Sequence, residues 1–127
     1  DYVITLYSGS KYYALSHAGN NITVVQINVS NGEITSEITE DLLWTYSNNK
    51  MSYVSNGTTY YMYCYTNSWW GGWWGSSGTS LQLSTTNSST VTFSSNKVKV
   101  GSYYLKYSSG SVKLNSSATT AYIFTAN

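Results

Sequence analysis

Lys11-Tyr12-Tyr13-Ala14-Leu15-Ser16 returns as Thr59-Tyr60-Tyr61-Met62-Tyr63-Cys64 and again as Ser102-Tyr103-Tyr104-Leu105-Lys106-Tyr107. Each copy follows a turn marked by glycine, at Gly9, Gly57 and Gly101. Aromatic and β-branched residues behind a glycine turn read as strands leaving tight hairpins. The segments before these pairs match as well. Trp44-Thr45-Tyr46-Ser47-Asn48-Asn49-Lys50-Met51 lies over Val91-Thr92-Phe93-Ser94-Ser95-Asn96-Lys97-Val98 without a gap. The third copy of this segment is split between the chain ends, with Tyr122-Ile123-Phe124 as its first strand and Tyr2-Val3-Ile4-Thr5-Leu6 as its second.

Segments after the pairs align too: Val24-Val25-Gln26-Ile27, Leu81-Gln82-Leu83-Ser84 and Val112-Lys113-Leu114-Asn115. Each unit therefore reads as four short strands over roughly 40 residues, and fixed-period repetition of this kind marks a fold built from units that cannot bury an apolar face alone. Three such units with adjacent chain ends predict an all-β fold, a β-trefoil with three four-stranded pseudo-repeats, closed so that no long sheet edge is left bare. A two-sheet sandwich is the alternative, but it gives no reason for threefold matching. In this alignment Trp44 falls in register with Val91 and Tyr122 and is expected in the core.

The composition agrees. The chain has 127 residues, enough for one domain spanning 1–127 with its own core. Charged residues are 9%, aromatics 17%, and there are fourteen Tyr against two Phe. Tyr, Thr, Val and Trp favour strands while Asn and Gly mark turns. The single Cys64 excludes an internal disulfide, and its place in an alternating strand predicts a small, half-buried hydrophobe. Low charge with much Tyr, Ser, Thr and Asn is common in proteins that work outside cells. The abrupt start at Asp1-Tyr2-Val3, with no signal peptide or membrane span, suggests a module of a larger secreted or surface protein. Six basic and five acidic residues leave a net charge of +1, which predicts no basic patch and no nucleic-acid partner.

The rhythm Leu43-Trp44-Thr45-Tyr46, Lys50-Met51, then Gly57 through Tyr60-Tyr61-Met62 resembles β-trefoil modules of the ricin-B type and, more closely, trefoil repeats in surface proteins of Gram-positive gut bacteria. The likeness covers nearly the whole chain and implies a lectin-like, carbohydrate-binding trefoil of bacterial origin. The Gln-x-Trp signature of the ricin type is missing from all three units, and no acidic residue recurs at equivalent places. A sugar site here is therefore not expected at the three familiar ones.

Departures from the threefold pattern are where function is expected. Between third and fourth strands, one unit has only Ser108-Ser109-Gly110, another His17-Ala18-Gly19-Asn20-Asn21, and the third a long loop from about Thr66 to Thr79. That loop holds Trp69-Trp70-Gly71-Gly72-Trp73-Trp74, four of the five tryptophans in the chain. Its other residues offer no apolar surface against which indoles could pack. Sugar rings stack their C–H faces on flat indoles, and rigid aromatics lose little side-chain entropy on binding. The expected ligand-binding residues are Trp69, Trp70, Trp73 and Trp74, with Tyr65, Asn67, Ser68 and Ser76 supplying hydrogen bonds.

Chemistry is poorly provided for. His17 is the only histidine, no Gly-x-Ser-x-Gly motif is present, and no His/Cys/Asp cluster has metal-ligand spacing. Neither catalytic residues, metal nor cofactor are expected. Glu33, Glu37, Glu40 and Asp41 crowd a stretch from Ser30 to Asp41, but without the alternating Asp/Asn and Gly of a calcium loop they read as a solvated connector. The expected function is a non-catalytic glycan-binding or adhesion module, acting outside the cell or at its surface on a polysaccharide or glycoconjugate. Neighbouring domains of the parent protein are further expected partners. A structural or protein-interaction module with a self-packed tryptophan loop is the alternative. Membrane contact is a third possibility, weakened by the lack of Lys or Arg beside the loop.

Overall fold

The computed structural model describes residues 1–68 and 77–126, with Asn67, Ser68 and Ser77 described through their backbone alone. In chain order the strands are β1 (Tyr2–Ser8), β2 (Lys11–Ser16), β3 (Thr23–Ile27), β4 (Val29–Ser30), β5 (Glu33–Ile34), β6 (Thr45–Ser47) and β7 (Lys50–Ser55). They continue with β8 (Thr58–Ser68), β9 (Ser77–Ser84), β10 (Val91–Ser94), β11 (Lys97–Val100), β12 (Tyr103–Ser108), β13 (Ser111–Asn115) and β14 (Ala121–Thr125). The only helical pieces among the described residues are 3₁₀ turns at Ala18–Asn20 and Glu40–Leu42, and no helix there is long and apolar enough to cross a membrane. The protein is all-β.

Twelve strands form three antiparallel four-stranded sheets with one pattern of neighbours: β14-β1-β2-β3, β6-β7-β8-β9 and β10-β11-β12-β13. The first sheet joins the two ends of the chain, with Tyr2 opposite Thr125 and Leu6 opposite Ala121. Local chemistry sets the hairpins. Asn48-Asn49, Asn56-Gly57, Ser95-Asn96 and Ser109-Gly110 each bridge two strands, and both residues of every pair have positive φ. That is the mirror-image turn whose twist matches paired strands, and Asn and Gly tolerate it best.

Counting along the paired registers brings equivalent residues of the three sheets into one core. Leu15, Met62 and Leu105 are fully buried, as are Trp44, Val91 and Ala121 to within 1%. Ile4, Met51 and Val98 lie with them, as do Leu6, Tyr53 and Val100. Two residues beyond the Trp44 level, Tyr46, Phe93 and Ile123 line a single apolar recess of about 270 Å³. Backbone hydrogen bonds close the three sheets into a ring. Trp44 N–H donates to Tyr2 O (2.8 Å), Val91 N–H to Asn49 O (2.7 Å) and Ala121 N–H to Asn96 O (2.8 Å). The Trp44 indole N–H is satisfied by Leu15 O at 3.1 Å, so this large side chain is buried without an orphaned donor.

The register corrects the sequence alignment by one or two residues. Ala121, not Tyr122, stands level with Trp44 and Val91; Tyr122 is 37% exposed. Tyr13, not Tyr12, is level with Tyr60 and Tyr103, because each faces the equivalent residue of the preceding strand: Leu6, Tyr53 or Val100. Val24 matches Leu83 and Leu114, each paired with the buried residue of the strand before it. Side chains alternate between faces with period two, so a shift of one residue would turn the core outward. Burial therefore overrules letter-for-letter likeness.

The acidic stretch is also more than a solvated connector. Its four carboxylates are exposed, yet Asn31-Gly32 turns it into the β4–β5 hairpin. Ile34, Ile38 and Leu42 cover a second small core with Val3, Ala14 and Ile27.

Candidate functional site

Two regions break the likeness of the three sheets, and both sit at the connection between third and fourth strands. In the third sheet β12 and β13 close directly after the Ser108–Ser111 pair. The equivalent pair in the second sheet is Tyr65–Ser80, but β8 and β9 run on through Thr66–Thr79, Asn67–Gly78 and Ser68–Ser77. β8 has eleven residues against six in β2 and in β12. Three further residues at about 3.3 Å each carry the strand end roughly 10 Å farther than its counterpart.

The sequence-expected site residues distribute accordingly. Tyr65 stands on this ribbon, 39% exposed, with its ring 6.4 Å from that of Tyr63 at 66°. Asn67 and Ser68 are the last two residues of β8, paired with Gly78 and Ser77. Trp69, Trp70, Trp73, Trp74 and Ser76 lie outside the described residues. Of the expected site residues, β8 therefore carries Tyr65, Asn67 and Ser68.

The second region is a cleft of about 510 Å³ between the first and second sheets. It begins at a backbone carbonyl. In the third and first sheets Thr90 O and Thr120 O accept the backbone N–H of Gly101 and Tyr7, both at 2.8 Å. The equivalent carbonyl of Leu43 instead accepts from His17 Nε2 at 2.9 Å. A carbonyl only accepts, so this contact places a proton on Nε2. The imidazole lies flat on Tyr53, with centroids 3.6 Å apart and planes within 5°, and edge-on to Trp44 at 4.9 Å. Tyr60 continues the stack beyond Tyr53 at 5.2 Å.

Asn20 locks the column. Its Oδ1 accepts from Tyr53 Oη at 2.7 Å, and its Nδ2 donates to Tyr60 Oη at 3.4 Å. Burial, followed by the neighbouring Tyr60, pushes the Tyr53 hydroxyl up to about 12. Tyr53 is therefore a neutral donor at ordinary pH. Asp1, Glu40 and Asp41 line the cleft with Thr45 and Asn56, so its walls offer carboxylate and amide acceptors beside a rigid aromatic stack. These oxygens can accept hydrogen bonds from hydroxyl or N–H donors.

Sequence reasoning missed this cleft. His17 and the Glu40-Asp41 pair were its available signals, but they lie in different sheets' connections and only the fold joins them. Among the described residues no group of His, Cys, Asp and Glu is arranged to hold a metal ion. Cys64 occupies the position equivalent to His17 and is half-buried, as expected; burial pushes its thiol up, partly offset by a backbone hydrogen bond from Ser102. No family model, curated protein or solved structure matches the chain.

Proposed function

We propose that the three sheets are the pseudo-repeats of a β-trefoil, and that the chain is a non-catalytic, carbohydrate-binding adhesion module of an extracellular bacterial protein. It contacts glycan through the tryptophan-bearing end of the β8–β9 ribbon. The observation that carries this reading is the three extra rungs of β8–β9 in an otherwise repeated scaffold. In sequence, Trp69–Trp74 follow Ser68, whose partner Ser77 makes the last described rung of a ribbon that bears Tyr63 and Tyr65. Indoles stacked on sugar rings supply affinity, and the Ser, Thr and Asn of the ribbon supply hydrogen bonds.

Burial of a large apolar side chain contributes on the order of 1.5–3 kcal/mol. Replacing all four loop tryptophans by alanine should therefore weaken binding at least tenfold. Affinity electrophoresis in gels cast with starch, mucin or plant polysaccharide, guided by a glycan array, reads the effect. The native chain should be retarded by one of these, and the variant should run freely with an unchanged melting temperature. Retardation that survives all four substitutions would remove the loop from the binding site.

A further inference from the structure

All six basic residues are lysines, and the fold gathers four of them on one surface. Lys97 and Lys99 flank buried Val98 on β11, Lys106 follows buried Leu105 on β12, and Lys113 precedes buried Leu114 on β13. Strand alternation therefore turns all four to the outer face of the third sheet. The register sets Lys106 opposite Lys113, and Tyr104 between Lys99 and Asn115. Lys97 Nζ and Lys99 Nζ lie 5.8 and 5.6 Å from the centre of the Tyr104 ring, and Lys106 Nζ donates to Ser117 Oγ at 3.1 Å.

This overturns the expectation of no basic patch, which rested on net charge alone. The five carboxylates, at 1, 33, 37, 40 and 41, all precede β6, so residues 42–127 carry no acidic side chain. The lysines have no carboxylate on their own sheet to neutralise them. Like charges directly opposite on neighbouring strands destabilise a sheet. In a chain where only 9% of residues are charged, this concentration works against the fold and calls for a partner.

We propose that the outer face of the β10–β13 sheet binds an acidic polysaccharide, a glycan chain carrying sulfate or carboxylate groups. The four ammonium groups pair with its anions while Tyr104 stacks on a sugar ring. Thr92, Ser94 and Asn115, on the same face, meet its hydroxyls. Charge complementarity names the anion. The polar character of the remaining face, with Tyr104 as its described ring, favours a glycan over single-stranded nucleic acid, which needs successive stacking platforms.

The test is binding of the whole chain to dextran sulfate, to polygalacturonate and to uncharged dextran across a salt series. A single-stranded oligonucleotide and vesicles of anionic lipid are run in parallel. The native chain should bind one or both acidic polysaccharides and not dextran. The logarithm of affinity should fall with that of salt at a slope of about three, as counterion release at four cations requires. Lys97→Gln, Lys99→Gln, Lys106→Gln and Lys113→Gln together should weaken binding at least tenfold and flatten the slope. Lys11→Gln with Lys50→Gln should leave both unchanged.

Lys113→Glu provides a control on folding, because it replaces repulsion by an ion pair with Lys106: it should raise the melting temperature while weakening binding. Equal affinity for charged and uncharged dextran, or equal loss in the Lys11/Lys50 variant, overturns the proposal. So does tighter binding to the oligonucleotide or the vesicles. The four-tryptophan variant separates this site from the ribbon: it should keep dextran sulfate binding, and loss there with retention in the four-lysine variant also sinks the assignment.

Discussion

β8–β9 and β12–β13 begin alike and end differently. Both leave the core through a fully buried residue, Met62 or Leu105, whose carbonyl accepts a backbone N–H, from Ser89 or Thr119, at 3.1 Å. Both then pass a position whose backbone N–H is held by a hydroxyl of the following connection, Cys64 by Ser89 Oγ and Tyr107 by Thr119 Oγ1. One hairpin turns back at Ser109-Gly110, while the other adds three rungs and carries the tryptophan sequence. The difference teaches where each kind of constraint acts. Up to Cys64 and Tyr107 the chain serves packing shared by three sheets; beyond that point nothing in the core dictates its length.

That division can be broken most forcefully at Trp44. Trp44→Ala empties a fully buried site in the shared core and should cost about 3–5 kcal/mol, read as a fall in the urea midpoint. A loss under 1 kcal/mol would mean that the ring of sheets does not depend on this level.

Gly101 comes next. Its φ is +64°, and a Cβ there would sit 3.1 Å from Cys64 Cβ and 3.4 Å from its Sγ. Gly101→Ala should cost roughly 1–3 kcal/mol through backbone strain and crowding. Cys64→Ala in the same background should recover part of it, since it removes the thiol but not the strain. Lack of any recovery in that double variant would clear the thiol and leave backbone strain and the 3.1 Å Cβ–Cβ contact, which alanine keeps, as the cause.

A smaller, pH-dependent effect sharpens the contrast between the first junction and the rest. Tyr53 is protonated in the folded chain up to about pH 12, whereas an unfolded tyrosine ionises near pH 10. Between those values the unfolded state binds fewer protons, so stability is full below pH 10 and falls as pH rises toward 12. Urea midpoints at pH 8, 10 and 11 should show this decline. Tyr53→Phe should flatten it, while costing some stability at pH 8 because Asn20 Oδ1 loses its donor.

The least perturbing change should be the most instructive. Replacing residues 66–79 by Ser-Gly gives β8–β9 the short turn of β12–β13. It should move the urea midpoint least of these variants, because the described residues among 66–79 take no part in the shared core, and abolish retardation in the glycan gel. Unfolding of this variant would show that the ribbon end supports the core and would erase the distinction between the two hairpins.

Much of the fold was legible in the sequence. Gly9, Gly57 and Gly101 announced their turns because few residues accept positive φ. Repetition of Tyr-Tyr and Lys-hydrophobe segments gave the sets of four strands and the pairing of β14 with β1. Trp44 was readable as core because its neighbours recur in a second unit. The exact levels of Ala121, Tyr13 and Val24 were not, since pattern matching allows a shift of one or two residues that packing forbids.

The candidate sites divide in the same way. Strand propensity, turn chemistry and the odd length of one connection are local properties, so the sequence alone determined an all-β chain with an insertion between β8 and β9. His17 meeting Leu43 O and Tyr53, and Lys97, Lys99, Lys106 and Lys113 sharing one face, depend on which strands pair and which sides they bury. Only the tertiary structure decided those, because register converts distance along the chain into proximity and alternation converts it into facing.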